Sequence, residues 1–243
     1  AVREVWDITD RFNVTSIFNT DSSGTISFKA QSGEERQYIA FANSDFFEPL
    51  RDQRATVANQ NLKGTIFQNS QGLFEDIDYI ILTPVNLSSQ AQRLAQINRN
   101  QYNLRVKVVT LENIYTEFST GSQDIAAIRN FIKYVYDNAS SPSERLKYLC
   151  LFCEGSYDYK NRIRNNTNIV PSWYSTNSFS LTNSFVSDDF YAMLDENEGS
   201  MSTGIDRMDI AVGRILAEDL QRAREMVDKI ESYYQREAYG SWR

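Results

Sequence analysis

Residues 146–162, LKYLCLFCEGSYDYKNR, decide the fold. The stretch opens as a short apolar run, 146–152, of the kind a fully buried strand presents. It then breaks at Glu154-Gly155-Ser156 into a polar, tyrosine-rich loop that carries Asp158. Upstream, a second apolar run, YIILT at 79–83, is followed by a helical pattern and then by RVKVVTL at 105–111. In open α/β sheets, ligands and catalytic groups gather beyond the carboxyl ends of such strands. The stretch therefore reads as a later strand of a parallel sheet, with its loop on the functional edge.

Working outward, Leu87, Ala91, Leu94 and Ala95 recur at i, i+4, i+7 and i+8, which predicts a helix starting near Ser88. Asp124 is positioned to cap a further helix. That helix would bury Ile125, Ile128, Ile132 and Val135 and show Arg129 and Lys133 to solvent. A long polar passage at 158–182 exceeds ordinary loop length and predicts an exposed or functional excursion. MDIAVGRI at 208–215 reads as another strand with Gly213 at its exit, and a last helix aligns Leu220, Ala223, Val227, Ile230 and Tyr234. This alternation predicts an α/β fold with a parallel sheet flanked by helices. Residues 1–70 read instead as a small β-rich region: VREVWDI, TISFKA at 25–30 and QYIAFA at 37–42 are separated by turn clusters. The expected division is thus 1–70 and 71–243, with NQNLKG at 59–64 as connecting loop.

Composition narrows the function. At 41% hydrophobic and 23% charged residues, the 243-residue chain is ordinary globular material. A formal charge of −7 argues against a nucleic-acid surface. No apolar run reaches the roughly 20 residues that a transmembrane helix needs. Cys150 and Cys153 form a C-x-x-C inside a buried-strand pattern, which favours small buried hydrophobes over a redox pair or half a zinc site. The chain contains no histidine, so it supplies no imidazole for Ser-His-Asp or Cys-His catalysis.

Seven pieces occur in a telling order: VWDITDRFNV (5–14), VANQNLKG (57–64), DYIILTP (78–84), VKVVTLENIYTEFSTGSQDIAAIRNFIKYVYD (106–137), LFCEGSYDYK (151–160), SDDFYAMLD (187–195) and DIAVGRI (209–215). Together they resemble the gingipain-like C25 cysteine peptidases, most closely the PorU-type sortases of the type IX secretion system. The resemblance implies a caspase-like fold built from two subdomains, of which this chain is the first, non-catalytic one. The catalytic His and Cys would lie in the second, so no catalytic residue is assigned here. Cys153 and Glu154 stand where the family pattern has a Gly-Asp pair. The implied parent removes the C-terminal signal of secreted cargo at the outer-membrane surface. Its implied partners are the second subdomain, the cargo and other secretion components.

Asp188, Asp189, Asp195 and Glu198 form an acidic cluster that is a candidate structural calcium site, since calcium takes six to eight oxygens. The default reading is a solvated acidic loop, because no EF-hand spacing is present. No other cofactor is required. Two competing readings use the same residues. One is a binding or scaffold module with a caspase-like half-fold. The other is a hydrolase pairing Asp158 with Asp188 or Asp189, which needs two carboxylates at a fixed separation. If folded alone, the chain is expected to dimerise weakly through exposed apolar surface.

Overall fold

The sequence signals resolve into two compact units in a computed structural model, which describes residues 1–21, 23–49, 59–177, 179–201 and 206–235. One unit is Ala1–Ala58 and the other Asn59–Arg243. The first centres on β1 (Glu4–Asp7), paired antiparallel with β2 (Thr15–Phe18) on one side and β3 (Tyr38–Phe41) on the other. The β-branched and aromatic run at 25–30 was expected as a strand, but it forms none. It joins neither outer edge of the sheet β2-β1-β3, and β-propensity without a partner strand decides little. Phe28 instead packs its ring against Tyr38, 5.0 Å between centroids.

The second unit begins earlier than expected. Asn61 caps a short helix α1 (Leu62–Thr65) by accepting the Gly64 N–H. Leu62, Ile66 and Phe67 are buried in the core of this unit, which draws the boundary back to residue 58/59 from 70. The parallel sheet follows. Its strands are β4 (Tyr79–Thr83), β5 (Val106–Thr110), β6 (Tyr148–Phe152) and β9 (Ala211–Ile215), in the order β5-β4-β6-β9. A separate two-stranded ribbon joins β7 (Trp173–Tyr174) to β8 (Val186–Ser187). β4 is central and buried on both faces, with Ile80, Ile81 and Leu82 fully enclosed, as parallel strands between helices must be.

The helices form where the apolar spacing places them. α2 (Ser88–Tyr102) buries Ala91, Leu94 and Ala95, and ends at Asn103 in the left-handed region, φ 53°. α3 (Leu111–Phe118) buries Ile114 and Tyr115. Asp124 caps α4 (Ile125–Asp137) by accepting the Ala126 N–H, and Ile128, Ile132 and Val135 are buried. α5 (Leu220–Gln235) buries Ala223 and Val227, and Tyr234 meets Tyr102 of α2 edge to face. Two expectations change. Arg129 is not a solvated charge, because its guanidinium is held by a distant loop (below). Gly213 lies inside β9, opposite Cys150, and not at the strand exit.

Candidate functional site

Parallel strands bring their carboxyl ends to one edge of the sheet. There β6 runs into residues 153–158 and β9 ends at Arg214 and Ile215. Glu154 accepts the Thr167 hydroxyl at 3.0 Å, and its carbonyl accepts the Val170 N–H at 2.9 Å. A Cβ on Gly155 would lie 2.8 Å from the Val170 carbonyl oxygen, so glycine is required there by the close approach of two backbones. The Ser156 N–H donates to Asn168 Oδ1 at 3.0 Å, and Tyr174 donates its hydroxyl to the Ser156 carbonyl. Asp158 is buried and organises the next turn: it accepts the Ile163 N–H at 2.6 Å, while its own carbonyl takes Asn161 N–H and Asn166 Nδ2. A carboxylate that accepts a backbone N–H five residues on shapes a turn.

Arg214 binds these loops together. Nε donates to Asp188 Oδ2 at 2.8 Å, and Nη2 donates to Asp188 Oδ1 at 2.7 Å and to Ser172 Oγ at 3.1 Å. Nη1 donates to the carbonyls of Cys153 at 3.2 Å and Val170 at 2.8 Å. A guanidinium carries five N–H donors, and all five are used. The side chain is 11% exposed and that of Asp188 22%. Such a bidentate pair positions rigidly, because removing either partner strands the other charge. Ser172 completes Asp188 with a 2.8 Å bond to Oδ1. Arg214 is therefore spent inside the protein and holds no donor for a substrate.

The four acidic residues singled out by sequence do not converge. Asp188 is paired with Arg214. Asp189 starts a 3-10 turn, Asp189–Ala192, with its N–H on Ser187 Oγ at 3.0 Å. Glu198 folds its carboxylate back onto the N–H groups of Asp195 (3.3 Å) and Arg207 (2.9 Å). The carbonyls of this loop face a cation already: Arg129 donates from Nε to Met193 O at 2.6 Å and from Nη2 to Asp195 O at 3.1 Å and Glu198 O at 3.2 Å. Among the described residues no group of three or more metal-ligating side chains forms, so these residues do not fit a calcium ion. Of the carboxylates weighed as a catalytic pair, Asp158 accepts the Ile163 N–H within its own turn and Asp188 is paired with Arg214.

Both thiols are free and buried, as expected of small hydrophobes. Burial pushes the Cys150 thiol up to about 12 and the Cys153 thiol up to about 11. Cys153 Sγ donates to the Ala217 carbonyl at 3.3 Å. A nucleophilic cysteine needs the opposite, an exposed thiolate held by a nearby cation or base.

Sequence reasoning passed over Arg214 and Arg129 as functional positions. A signal was available: an arginine within a strand or helix of buried pattern requires a counter-charge or several acceptors. What no pattern supplied was the identity of partners 26 and 64–69 residues away.

With this geometry in place, three comparisons locate the chain among known proteins. The family model for peptidase family C25 matches residues 73–243. No curated protein matches significantly. Among solved structures, the crystal structure of dimeric latent PorU from Porphyromonas gingivalis is similar at 29% identity and a TM-score of 0.55. The likeness covers 68% of this chain and 17% of that one, so the chain spans less than a fifth of the relative's length.

Proposed function

The chain belongs to peptidase family C25, and from that premise we propose that it is a non-catalytic, gingipain- or PorU-like subdomain that fixes the geometry of a neighbouring catalytic half. The observation that carries this reading is the carboxyl edge of the sheet. In an α/β enzyme this is where reacting groups collect. Here Arg214 has no donor left over, Asp158 and Asp188 are engaged, both thiols are buried, and the chain has no histidine. An edge so fully bonded supports chemistry performed elsewhere.

In the proposed parent, a Cys-His pair in the second subdomain attacks the peptide bond that releases the C-terminal signal of type IX secretion cargo, at the outer face of the outer membrane. A thiolate attacks the carbonyl, the leaving amine takes a proton from the imidazole, and an acceptor amine or water resolves the acyl-enzyme. The contribution of this chain is stiffness, because sub-ångström placement of reacting groups depends on what they lean against. No helix among the described residues is long and apolar enough to cross a membrane.

The test is covalent labelling with a peptidyl acyloxymethyl ketone, a thiol-directed probe. Residues 1–243 are expected to remain unlabelled while the product of the full reading frame is labelled at a cysteine outside them. Labelling of Cys150 or Cys153 in the native chain would overturn the proposal. A full-length product with no labelled cysteine would leave a binding module with a caspase-like half-fold.

A further inference from the structure

We propose that the loop leaving β6, residues 157–166, is a docking surface for an acidic segment of the polypeptide substrate. The inference deepens the reading above, in which a neighbouring catalytic half cleaves a peptide bond. In a chain of formal charge −7, residues 159–187 contain Lys160, Arg162 and Arg164 and no aspartate or glutamate. All three cations are exposed. Among the described residues, the Arg162 and Arg164 side chains have no hydrogen bond, ion pair or ring partner. Lys160 has only the Tyr159 ring, 5.5 Å from Nζ to the centroid. Arg129 and Arg214, by contrast, are turned inward onto carbonyls and a carboxylate. The charge at 160–164 is therefore left for something outside the unit.

The cations stand on a fixed frame. Asp158, the carboxylate within the loop, is buried and accepts the Ile163 N–H at 2.6 Å. Its carbonyl accepts the Asn161 N–H at 3.1 Å and Asn166 Nδ2 at 2.8 Å. Asn161 and Asn165, on either side of the two arginines, take the left-handed backbone that asparagine tolerates, φ 52° and 60°. The Tyr159 ring rests 6.0 Å from that of Tyr174 in β7. A backbone ordered in advance loses little freedom on binding. Apolar surface lies among the charges: Tyr157 is 76% exposed, Tyr159 62% and Ile163 45%. A fitting partner therefore supplies anions and apolar groups together. An acidic peptide with interspersed apolar side chains does both, since carboxylates pair with guanidinium groups and apolar side chains cover the rings. Nucleic acid, the other polyanion, is disfavoured by the negative charge of the whole chain.

Fluorescence anisotropy on the product of the full reading frame tests this, with a fluorescein-labelled decapeptide rich in glutamate and leucine and its glutamine counterpart. The acidic peptide is expected to bind about tenfold more tightly, with the preference shrinking as salt rises. Arg162→Glu/Arg164→Glu should abolish the preference and leave the unfolding midpoint unchanged, because neither side chain bonds to the described protein. Arg11→Glu/Lys29→Glu, the same charge change at exposed positions of the other unit, should keep it. Equal affinity for the two peptides would overturn the proposal, as would a loss that the charge-matched variant shares. Phosphatidylglycerol vesicles bound by the wild type and not by Arg162→Glu/Arg164→Glu, with no preference between the peptides, would assign the loop to a membrane surface and overturn it too. Labelling rate reads the substrate assignment. A peptidyl acyloxymethyl ketone with a glutamate-rich amino-terminal extension should label the wild type faster than Arg162→Glu/Arg164→Glu, and equal rates would overturn that assignment. Anisotropy needs no labelled cysteine, so failure here is distinguishable from failure of the proposed function.

Discussion

The two ends of the parallel sheet are fastened by opposite charges. At the amino edge, the buried Asp78 carboxylate accepts the Arg105 backbone N–H at 3.0 Å, Arg105 Nε at 2.8 Å and Nη2 at 3.0 Å, and Lys147 Nζ at 2.8 Å. These residues directly precede β4, β5 and β6. At the carboxyl edge, the centre is the Arg214 guanidinium, surrounded by carbonyls and a carboxylate. At the amino edge the anion gathers two cationic side chains and one backbone N–H, whereas at the carboxyl edge the cation gathers a carboxylate, a hydroxyl and two backbone carbonyls. Each central group is saturated: about four acceptor sites are used on Asp78 and five donors on Arg214.

The carboxyl-edge fastening is the more enclosed, so breaking it should cost most. Arg214→Met leaves Asp188 without its partner and two carbonyls without donors, and should lower stability by about 3 kcal/mol in urea unfolding. Arg214→Lys should recover only part of this, since an ammonium cannot reproduce the bidentate fork. Equal stability of the wild type and Arg214→Met would refute the contrast between the two edges.

At the amino edge, Asp78→Asn should cost about 2 kcal/mol, less because Arg105 and Lys147 reach solvent. The Arg105 guanidinium, with Lys147 beside it, holds the Asp78 carboxyl well below the usual carboxylate range despite burial. The sign follows: the depressed native pKa contributes stability above the unfolded value near 4 and loses it progressively as the pH falls below that. Wild type should therefore lose stability more steeply than Asp78→Asn between roughly pH 4 and pH 2. Parallel acid curves for the two proteins would remove the anion-centred account of this edge.

Arg129 extends the carboxyl-edge theme to a loop. Arg129→Ala should cost about 1–2 kcal/mol and speed amide exchange across 193–198, because three carbonyls lose one guanidinium. Millimolar calcium should leave the wild-type melting temperature unchanged, and a rise of several degrees would show that the acidic loop binds the ion after all. The smallest effect is expected between the edges. Cys150→Ala and Cys153→Ala should each cost about 1 kcal/mol. The native thiols should resist a disulfide reagent that reacts at once in urea, as their raised pKa values require.

Much of the unit at 59–235 was legible in the chain. Short apolar runs bounded by turns gave β4, β5, β6 and β9, helical periodicity gave α2, α4 and α5, and Asp124 announced its own cap. These are local signals, set within a few residues by backbone geometry and side-chain spacing. The β-rich region was read less well, since 25–30 has strand propensity but joins no ladder, while 15–18 pairs with β1. The carboxyl-edge site was legible as a place and not as a chemistry.

By itself the sequence determined the fold class, the absence of any imidazole, the burial of both thiols and a likeness to C25 peptidases carried by ordered motifs. Only the tertiary structure decided that Asp188 meets Arg214, that Arg129 supports a loop and not solvent, and that no described residue lies within 4 Å of a Cβ on Gly213. The physical reason is range. Periodicity and capping act across one or two turns of chain, whereas an ion pair or an uncovered strand edge is defined by which distant segments fold against each other.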